Sequence, residues 1–398
     1  MDNSRYQGKF FEHFGDVKDT RQEGKVAHRL TDILFIVFSG VLCGYDEWKY
    51  IHAWAAAPAT QTWLQKYIAL PNGVPSLSTL QRGVAVIHPK ELSQRFIEWM
   101  KTELTLPDKD TISIDGKTSC GSRTENQKPL HVVSALCHSY GLIIGQTRTS
   151  EKSNEITAIP ELLGQLMIKG CIVTMDAMGA QKKIVEQITS QNEADYLINL
   201  KGNQGTLHEE VKAYFEDLEQ AGELPSLGKS TAGSKVNVLQ TLNKGHGRLE
   251  KRTYYYSTDV NWMVDAKRKW AKLTGIGMVI REVEYLSDPT KKTIERAHYI
   301  GSVDDVRNFG KGARNHWGVE SMHWSLDVTF GDDDNQTKEM RAAQNLSLIK
   351  RIVFNVLKNE TKIKPKASKP TKRIMANMDL SYRDELIKLA FHQDGIPR

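Results

Sequence analysis

The sequence predicts an α/β protein: a mixed sheet flanked by helices, with a helical domain in front of it and a β-rich insertion before its last helices. Three observations carry that expectation. Apolar residues recur three and four apart from about 25 to 105, the spacing of one helical face. Between 111 and 200, short β-rich runs and amphipathic stretches follow one another in the order β-β-β-α-β-α-β. From about 206 to 300, β-type runs such as KRTYYYS, GIGMVIREVEYL and RAHYIG prevail. The expected divisions are 1–105, 106–205, 206–301, 302–358 and 359–398, the second and fourth together forming the core.

The first division carries tryptophans at 48, 54, 63 and 99. Its most apolar run, ILFIVFSGVLCGY, has 13 residues, short of the roughly 20 that span a membrane, and predicts a buried helix. In GVPSLSTLQRGVAVIHPKEL, Ser76 and Ser78 are candidate N-caps of a short helix ending near His88 and Pro89. A helix-turn-helix element and an ordinary connection between helices both fit that stretch. TLPDKD supplies a turn. TISID then alternates up to Asp115, and HVVSALC and LIIGQTRT are β-rich runs joined by HSYG, whose Gly141 suits a hairpin. SNEITAIPELLGQLMIKG predicts a capped helix closed by Gly170, ahead of the strand CIVTMD, a helix near 181–189 and the strand DYLINLK. GSVDDVRNFGKGARNHWGVESMHWSLDVTF resumes a helical pattern, with Ser302 and Asp305 at its start and an interruption expected at Gly310 and Gly312. RAAQNLSLIKRIVFNVLK is strongly periodic. KNETKIKPKASKPTKR reads as a basic linker, mobile or laid along an anion, before a C-terminal helix.

That order of strands is the one expected of a ribonuclease H-like sheet, in which the strand after the crossover helix returns parallel to the first strand and beside it. Asp115 and Asp176 then end neighbouring strands. They share the sheet edge where active groups of open α/β sheets gather.

Composition narrows the class. With 398 residues, 39% apolar and 26% charged, the chain is a globular protein of two or three structural units. A net charge of +6 favours polyanions only where it is clustered. Cysteines 43, 120, 137 and 171 form no CxxC pair, which argues against a zinc knuckle or a disulfide framework and fits a reducing cytoplasm. The N-terminal stretch mixes charges of both signs and does not read as a secretory signal. No membrane partner is expected.

Two chemistries compete around IDGKTS. A phosphate-binding loop requires a glycine five positions ahead of the one in GKT, where Thr111 stands, and a loop between strand and helix; both requirements fail. The carboxylates fare better. Asp115 and Asp176 each follow a β-run and precede a small residue, which leaves two oxygen donors exposed at strand ends. Magnesium takes oxygen ligands and keeps water, so two or three carboxylates suffice for ions that phosphate completes. For a third donor, RNHWGVESMHWSLD places His316, Glu320, His323 and Asp327 on one helical face, spaced by four, three and four residues. Glu320 and Asp327 are rivals on that face. ESMH is also half of a di-iron pattern, but its partner ERAH lies in an expected strand. More plainly, Trp317 and Trp324 would bury this helix and leave the polar residues solvated.

Taken together, IDGKT, SEKSNEITAIPELL, DAMGAQ, KGNQG, HGRLEKR, RNHWGVESMHWSLDVTF and RAAQNLSLIKRIVFNVL resemble the bacterial H-repeat-associated transposases, insertion-sequence proteins of the Asp-Asp-Glu class. The resemblance covers nearly the whole chain. It implies a ribonuclease H-like catalytic domain interrupted by a β-rich insertion, with Asp115, Asp176 and Glu320 as catalytic and metal-binding triad. Two departures stand out: Ser321 replaces an asparagine common in the family, and Asp327 stands where related transposases carry lysine.

The function implied is cleavage of phosphodiester bonds at transposon ends and transfer of the 3′-hydroxyl into target DNA, using two Mg2+ ions with Mn2+ able to substitute. Double-stranded DNA is the expected partner, a homodimer the expected synaptic form, and the bacterial cytoplasm and nucleoid the expected location. Candidate DNA contacts are Lys117, Lys201, Asn203, Gln204, Arg314 and His316 near the acids. In an extended HGRLEKRTYYY, His246, Arg248, Glu250, Arg252, Tyr254 and Tyr256 would form one side, able to hold phosphate and stack on a base. A solvated outer strand is the other reading of that side. A DNA-binding descendant with an idle centre, and a nuclease that never joins strands, are the rival functions.

Overall fold

The computed structural model describes residues 9–125, 128–149, 155–227, 235–245 and 247–391. His246, the expected helix cap at 153–154 and much of the glycine- and serine-bearing loop before 235 lie outside them.

Six helices open the chain: α1 (Lys9–Phe14), α2 (Leu30–Leu42), α3 (Trp48–Ala56), α4 (Pro58–Leu64), α5 (Leu77–Val86) and α6 (Pro89–Glu103). The apolar run predicted to be buried is α2, with Leu30 and every side chain from Ile33 to Leu42 inside the core. All four tryptophans of this region are buried. Ser76 is the cap of α5, its hydroxyl accepting from the Thr79 amide, and His88 caps α6.

The sheet follows. Strands β1 (Thr111–Ser119), β2 (Leu130–Cys137) and β3 (Leu142–Arg148) form the expected antiparallel meander. Helix α7 (Glu155–Leu163) leads to β4 (Ile172–Met175), and α8 (Lys182–Ser190) to β5 (Asp195–Leu200). Both β4 and β5 join in parallel, β4 beside β1. Gly170 does not close α7, which ends seven residues earlier at Leu163; its left-handed φ of 76° instead makes the turn into β4.

After α9 (Gly205–Gln220) come β6 (Val236–Gly245), β7 (Arg248–Ser257), the short α10 (Val264–Lys269), β8 (Gly275–Tyr285) and β9 (Asp288–Gly301). These four strands do not form a separate sheet. β9 pairs with β5, so the described residues build one nine-stranded mixed sheet in the order β3-β2-β1-β4-β5-β9-β8-β7-β6. This is the mixed α/β, ribonuclease H-like architecture expected.

Helix α11 (Val306–Phe330) crosses that sheet, followed by α12 (Met340–Asn359), α13 (Lys369–Met378) and α14 (Leu380–Phe391). No break occurs at Gly310 and Gly312. A Cβ at either would lie within about 3 Å of Leu239 or Leu197, so the glycines serve close approach of helix to sheet. Asp305 caps α11 by accepting from the Asn308 amide at 2.7 Å. Asp305→Ala is expected to cost about 1 kcal/mol, read from the midpoint of urea unfolding at unchanged slope.

The basic segment near the C-terminus is not a free linker. Lys372 and Arg373 are buried, and they bind the carbonyl ends of other helices: Lys372 Nζ donates to Leu357 O at 3.0 Å, and Arg373 Nη2 to Val41 O at 2.8 Å. Arg373 also reaches Thr329 O and pairs with Asp46 at 2.6 Å. Two cations thus satisfy the ends of α12, α2 and α11, where orphan carbonyls and the helix dipole favour positive charge.

Candidate active site

The parallel ladder between β1 and β4 ends at the pair Ile114 and Met175. The next residues are Asp115 and Asp176, so backbone register alone brings these two acids to one edge. β1 does not stop there: it continues along β2 to Ser119, with Asp115 opposite Ser134. GKTS is therefore strand, which removes the last resemblance to a phosphate loop.

α11 brings the third acid. Asn315 Nδ2 donates to Thr111 Oγ1 at 3.0 Å and His316 Nδ1 lies 3.1 Å from Thr174 Oγ1, which docks the helix over β1 and β4. Two helical turns on, His323 Nδ1 lies 3.4 Å from Asp115 Oδ2, and a turn further Asp327 pairs with Lys117 at 2.6 Å. The face carrying His316, Glu320, His323 and Asp327 thus looks onto the acid-bearing strands. Trp317 and Trp324 do not bury the helix; both are exposed, while Val319, Met322, Leu326 and Phe330 pack inward.

Asp115, Asp176 and Glu320 line one cavity of about 400 Å³. Burial pushes the Asp115 carboxyl up to about 7; the Gly116 amide opposes this, and the charges of Glu155, Asp176 and Glu320 reinforce it. Asp176 behaves oppositely. Its burial is outweighed by Lys201, whose Nζ sits 2.9 Å from Oδ1, by the Ala177 amide, and by His316, so its carboxyl is held below the usual range. Burial pushes His316 down to about 4, and the ring is neutral at pH 7.

The same cavity is lined by Arg252, Arg281 and Arg296 from the insertion and by Arg314 from α11. Arg281 lies over the Trp317 ring at 5.4 Å and is anchored to Glu295 at 2.8 Å. Arg252 is buried and bonded to Glu250. Carboxylates and guanidinium groups thus share the lining of one cleft.

The remaining predicted contacts fall differently. Asn203 Nδ2 donates to Ala177 O at 2.5 Å and Gln204 Nε2 to Ala180 O at 3.0 Å, so both brace the loop that presents Asp176. Lys117 is nearly buried and neutralised by Asp327 and Asp333. Arg248 starts β7 at the far tip of the insertion, outside the cavity lining. Tyr254 and Tyr256 do not face solvent: both are buried, Tyr256 stacked on Phe309 at 5.0 Å, so α11 occupies the side proposed for bases. Arg281 and Arg296 escaped the sequence reading, because only the strand pairing shows that β8 and β9 reach the acids.

Among the described residues, no group of three or more His, Cys, Asp or Glu side chains is drawn together tightly enough to hold a metal ion as it stands. The donors nevertheless fit a hard divalent cation in type and charge. They are carboxylate oxygens, and burial together with their crowding lifts Asp115, a state that bound positive charge relieves. Lys201 occupies Asp176 in the meantime. No described helix is long and apolar enough to cross a membrane.

Sequence comparison points the same way. Residues 101–356 match the transposase DDE domain, and residues 11–100 a domain described as DDE_Tnp_1-associated. Among curated proteins, the chain is 35% identical over 379 residues to the "H repeat-associated putative transposase YhhI" of Escherichia coli K12, covering 94% of this chain and 96% of that protein. It is 34% identical over 365 residues to the "Putative transposase YncI" of Escherichia coli O157:H7, covering 91% and 90%. A 77-residue stretch is 32% identical to the "Inactive transposase YbfQ" of Escherichia coli K12.

Proposed function

Since the chain belongs to the transposase DDE domain family, we propose that it cuts phosphodiester bonds at the ends of a mobile DNA element and joins the freed 3′-hydroxyl to target DNA. Asp115, Asp176 and Glu320 are the catalytic and metal-binding residues in this reading, with Mg2+ the working ion and Mn2+ a substitute. One observation carries it above all: strand register sets Asp115 beside Asp176, and both share a cavity with Glu320. When bound, paired divalent cations supply Lewis acidity toward the attacking and leaving oxygens of an in-line displacement.

The chain's own residues do the rest. Asp115 gives up its proton as positive charge arrives. Lys201 releases Asp176 and turns to the DNA phosphate. Arg252, Arg281 and Arg314 hold the phosphate backbone beside the acids, where a partly desolvated site strengthens each contact. His316, neutral and tied to Thr174, keeps Glu320 in phase. The DNA-bound form is a homodimer in the cytoplasm, each copy serving one end of the element.

The Lys201–Asp176 ion pair favours a second reading, in which the protein binds DNA and its centre is idle. One assay separates the readings. Full-length protein is incubated with labelled DNA carrying the sequences that bracket the gene, with Mg2+, Mn2+ or EDTA. Metal-dependent cut and joined products are expected. Cut product alone reduces the activity to that of a nuclease, and a stable complex without any cut product overturns the proposal.

A further inference from the structure

We infer that Glu155 is a fourth carboxylate of the cation site, set in place by His131 and admitted by the missing side chain of Gly116. The inference rests on the reading of Asp115, Asp176 and Glu320 as a cation site, and adds a residue that the triad does not contain.

Glu155 is the first residue of α7, which packs with Ile112 and Ile114 of β1, while Asp115, between Ile114 and Gly116, meets His323 of α11. Its Oε1 lies 2.9 Å from His131 Nε2, and His131 Nδ1 lies 2.7 Å from Thr118 Oγ1. Thr118 and His131 are direct ladder partners on β1 and β2. The glutamate is therefore tethered to the strand that carries Asp115. Gly116 decides how close it comes. A Cβ at 116 would sit 2.2 Å from Glu155 Oε1 and 2.5 Å from His131 Nε2, so the glutamate and histidine fill the space that any other residue's side chain would take.

The electrostatics agree with that placement. Of the three carboxylates whose charges push Asp115 upward, Glu155 has the largest effect, ahead of Asp176 and Glu320. An unneeded acid at this spot would only add repulsion to a crowded edge. Held instead by a histidine across an open glycine, it offers another hard oxygen donor from the side opposite Glu320. The side chain is only 14% exposed, so it is not a solvated surface acid.

The test reads metal directly. Mn2+ binding to the metal-stripped full-length protein is measured by electron paramagnetic resonance for the wild type, Glu155→Gln and Asp115→Asn. Glu155→Gln keeps the shape of the side chain and is expected to weaken Mn2+ binding by about tenfold or more. An unchanged dissociation constant in Glu155→Gln, while Asp115→Asn abolishes binding, overturns this inference alone. No Mn2+ binding by the wild type overturns the triad reading with it. A variant-free measurement guards against misfolding: Fe2+ bound in place of Mn2+, with hydrogen peroxide added as oxidant and ascorbate to return Fe3+ to Fe2+, generates hydroxyl radicals that cut the nearby backbone. Cuts near 115, 176 and 155 are expected; cuts near 115 and 176 without one near 155 count against Glu155.

Discussion

Asp115→Asn is expected to abolish metal-dependent cleavage and at the same time to make the metal-free protein more stable. The two outcomes have one cause. Asp115 has its carboxyl lifted from an ordinary 3.8 to about 7 by burial and by the surrounding acids, so the folded state opposes the charge that function requires. A group raised in the folded state contributes fully below its unfolded value, and that contribution is lost as pH rises through the folded value. The apo wild type is thus penalised most above pH 7, by at most about 4 kcal/mol. The asparagine carries no such penalty. Urea unfolding of both proteins in EDTA is expected to show the variant more stable at pH 8, with the gap closing as pH falls from 7 towards 4. Mg2+ should then stabilise the wild type and leave the variant unmoved. Activity should fall by about a thousandfold or more, the scale of losing a group that acts on the transition state. DNA binding in EDTA should persist. A variant that cleaves normally, or one less stable than wild type at pH 8, contradicts this account of Asp115.

Asp332→Ala carries the largest expected cost to folding. Asp332 follows Gly331, the left-handed residue that ends α11, and both it and Arg351 of α12 are fully buried. Their atoms are 3.4 Å apart, and Lys350, also buried, feels the same carboxylate while its Nζ donates to Gly331 O at 3.1 Å. Removing the aspartate strands two cations away from water. Breaking one partner of such a buried pair costs about 3–5 kcal/mol, far more than the pair contributes relative to apolar residues of similar size. Asp332→Ala with Arg351→Met should therefore recover part of the loss. The effect has a route to the active edge as well, because Arg351 Nε donates to Ser134 Oγ, and Ser134 is the ladder partner of Asp115. Heat or urea unfolding of the single and double variants checks this. A single variant that loses less than about 1 kcal/mol would show the network to be dispensable.

Much of this architecture was legible in the sequence, and what was not has identifiable physical reasons. Alternation and turn residues suffice for the β1–β3 meander, and the crossover order places Asp115 beside Asp176 before any coordinates. The 3.6-residue period puts Glu320 on the same helical face as His316 and His323. By contrast, alternation in β7 shows which side chains share a side but not whether that side is covered. There Tyr254 and Tyr256 meet Phe309, and the two rings expected to stack on bases are buried. Glycine at 310 and 312 looks like a weakness when only helix propensity is weighed; close helix-to-sheet packing reverses the judgement. The same holds for Lys372 and Arg373, whose charges suggest solvent or phosphate until the carbonyl ends they serve are in view. Glu155 was hidden for a related reason: an acid in a first helical turn reads as a complement to the helix dipole, and only the fold sets it against Gly116 and His131.

The pairing of β9 with β5 sets the mechanical character of the cleft. Asn199 and Tyr299, one from each strand, are ladder partners and both line it, so the insertion that carries Arg252, Arg281 and Arg296 is fastened rung by rung to the sheet that carries the aspartates. A jaw that opens at a hinge is not available to such a body; widening it means tearing backbone bonds. The duplex is the softer component, since bending a site of 20–30 base pairs costs on the order of 1–6 kcal/mol. Spectroscopic rulers attached to the insertion and to the aspartate-bearing strands should consequently read the same span before and after DNA arrives, while rulers on the DNA register the distortion.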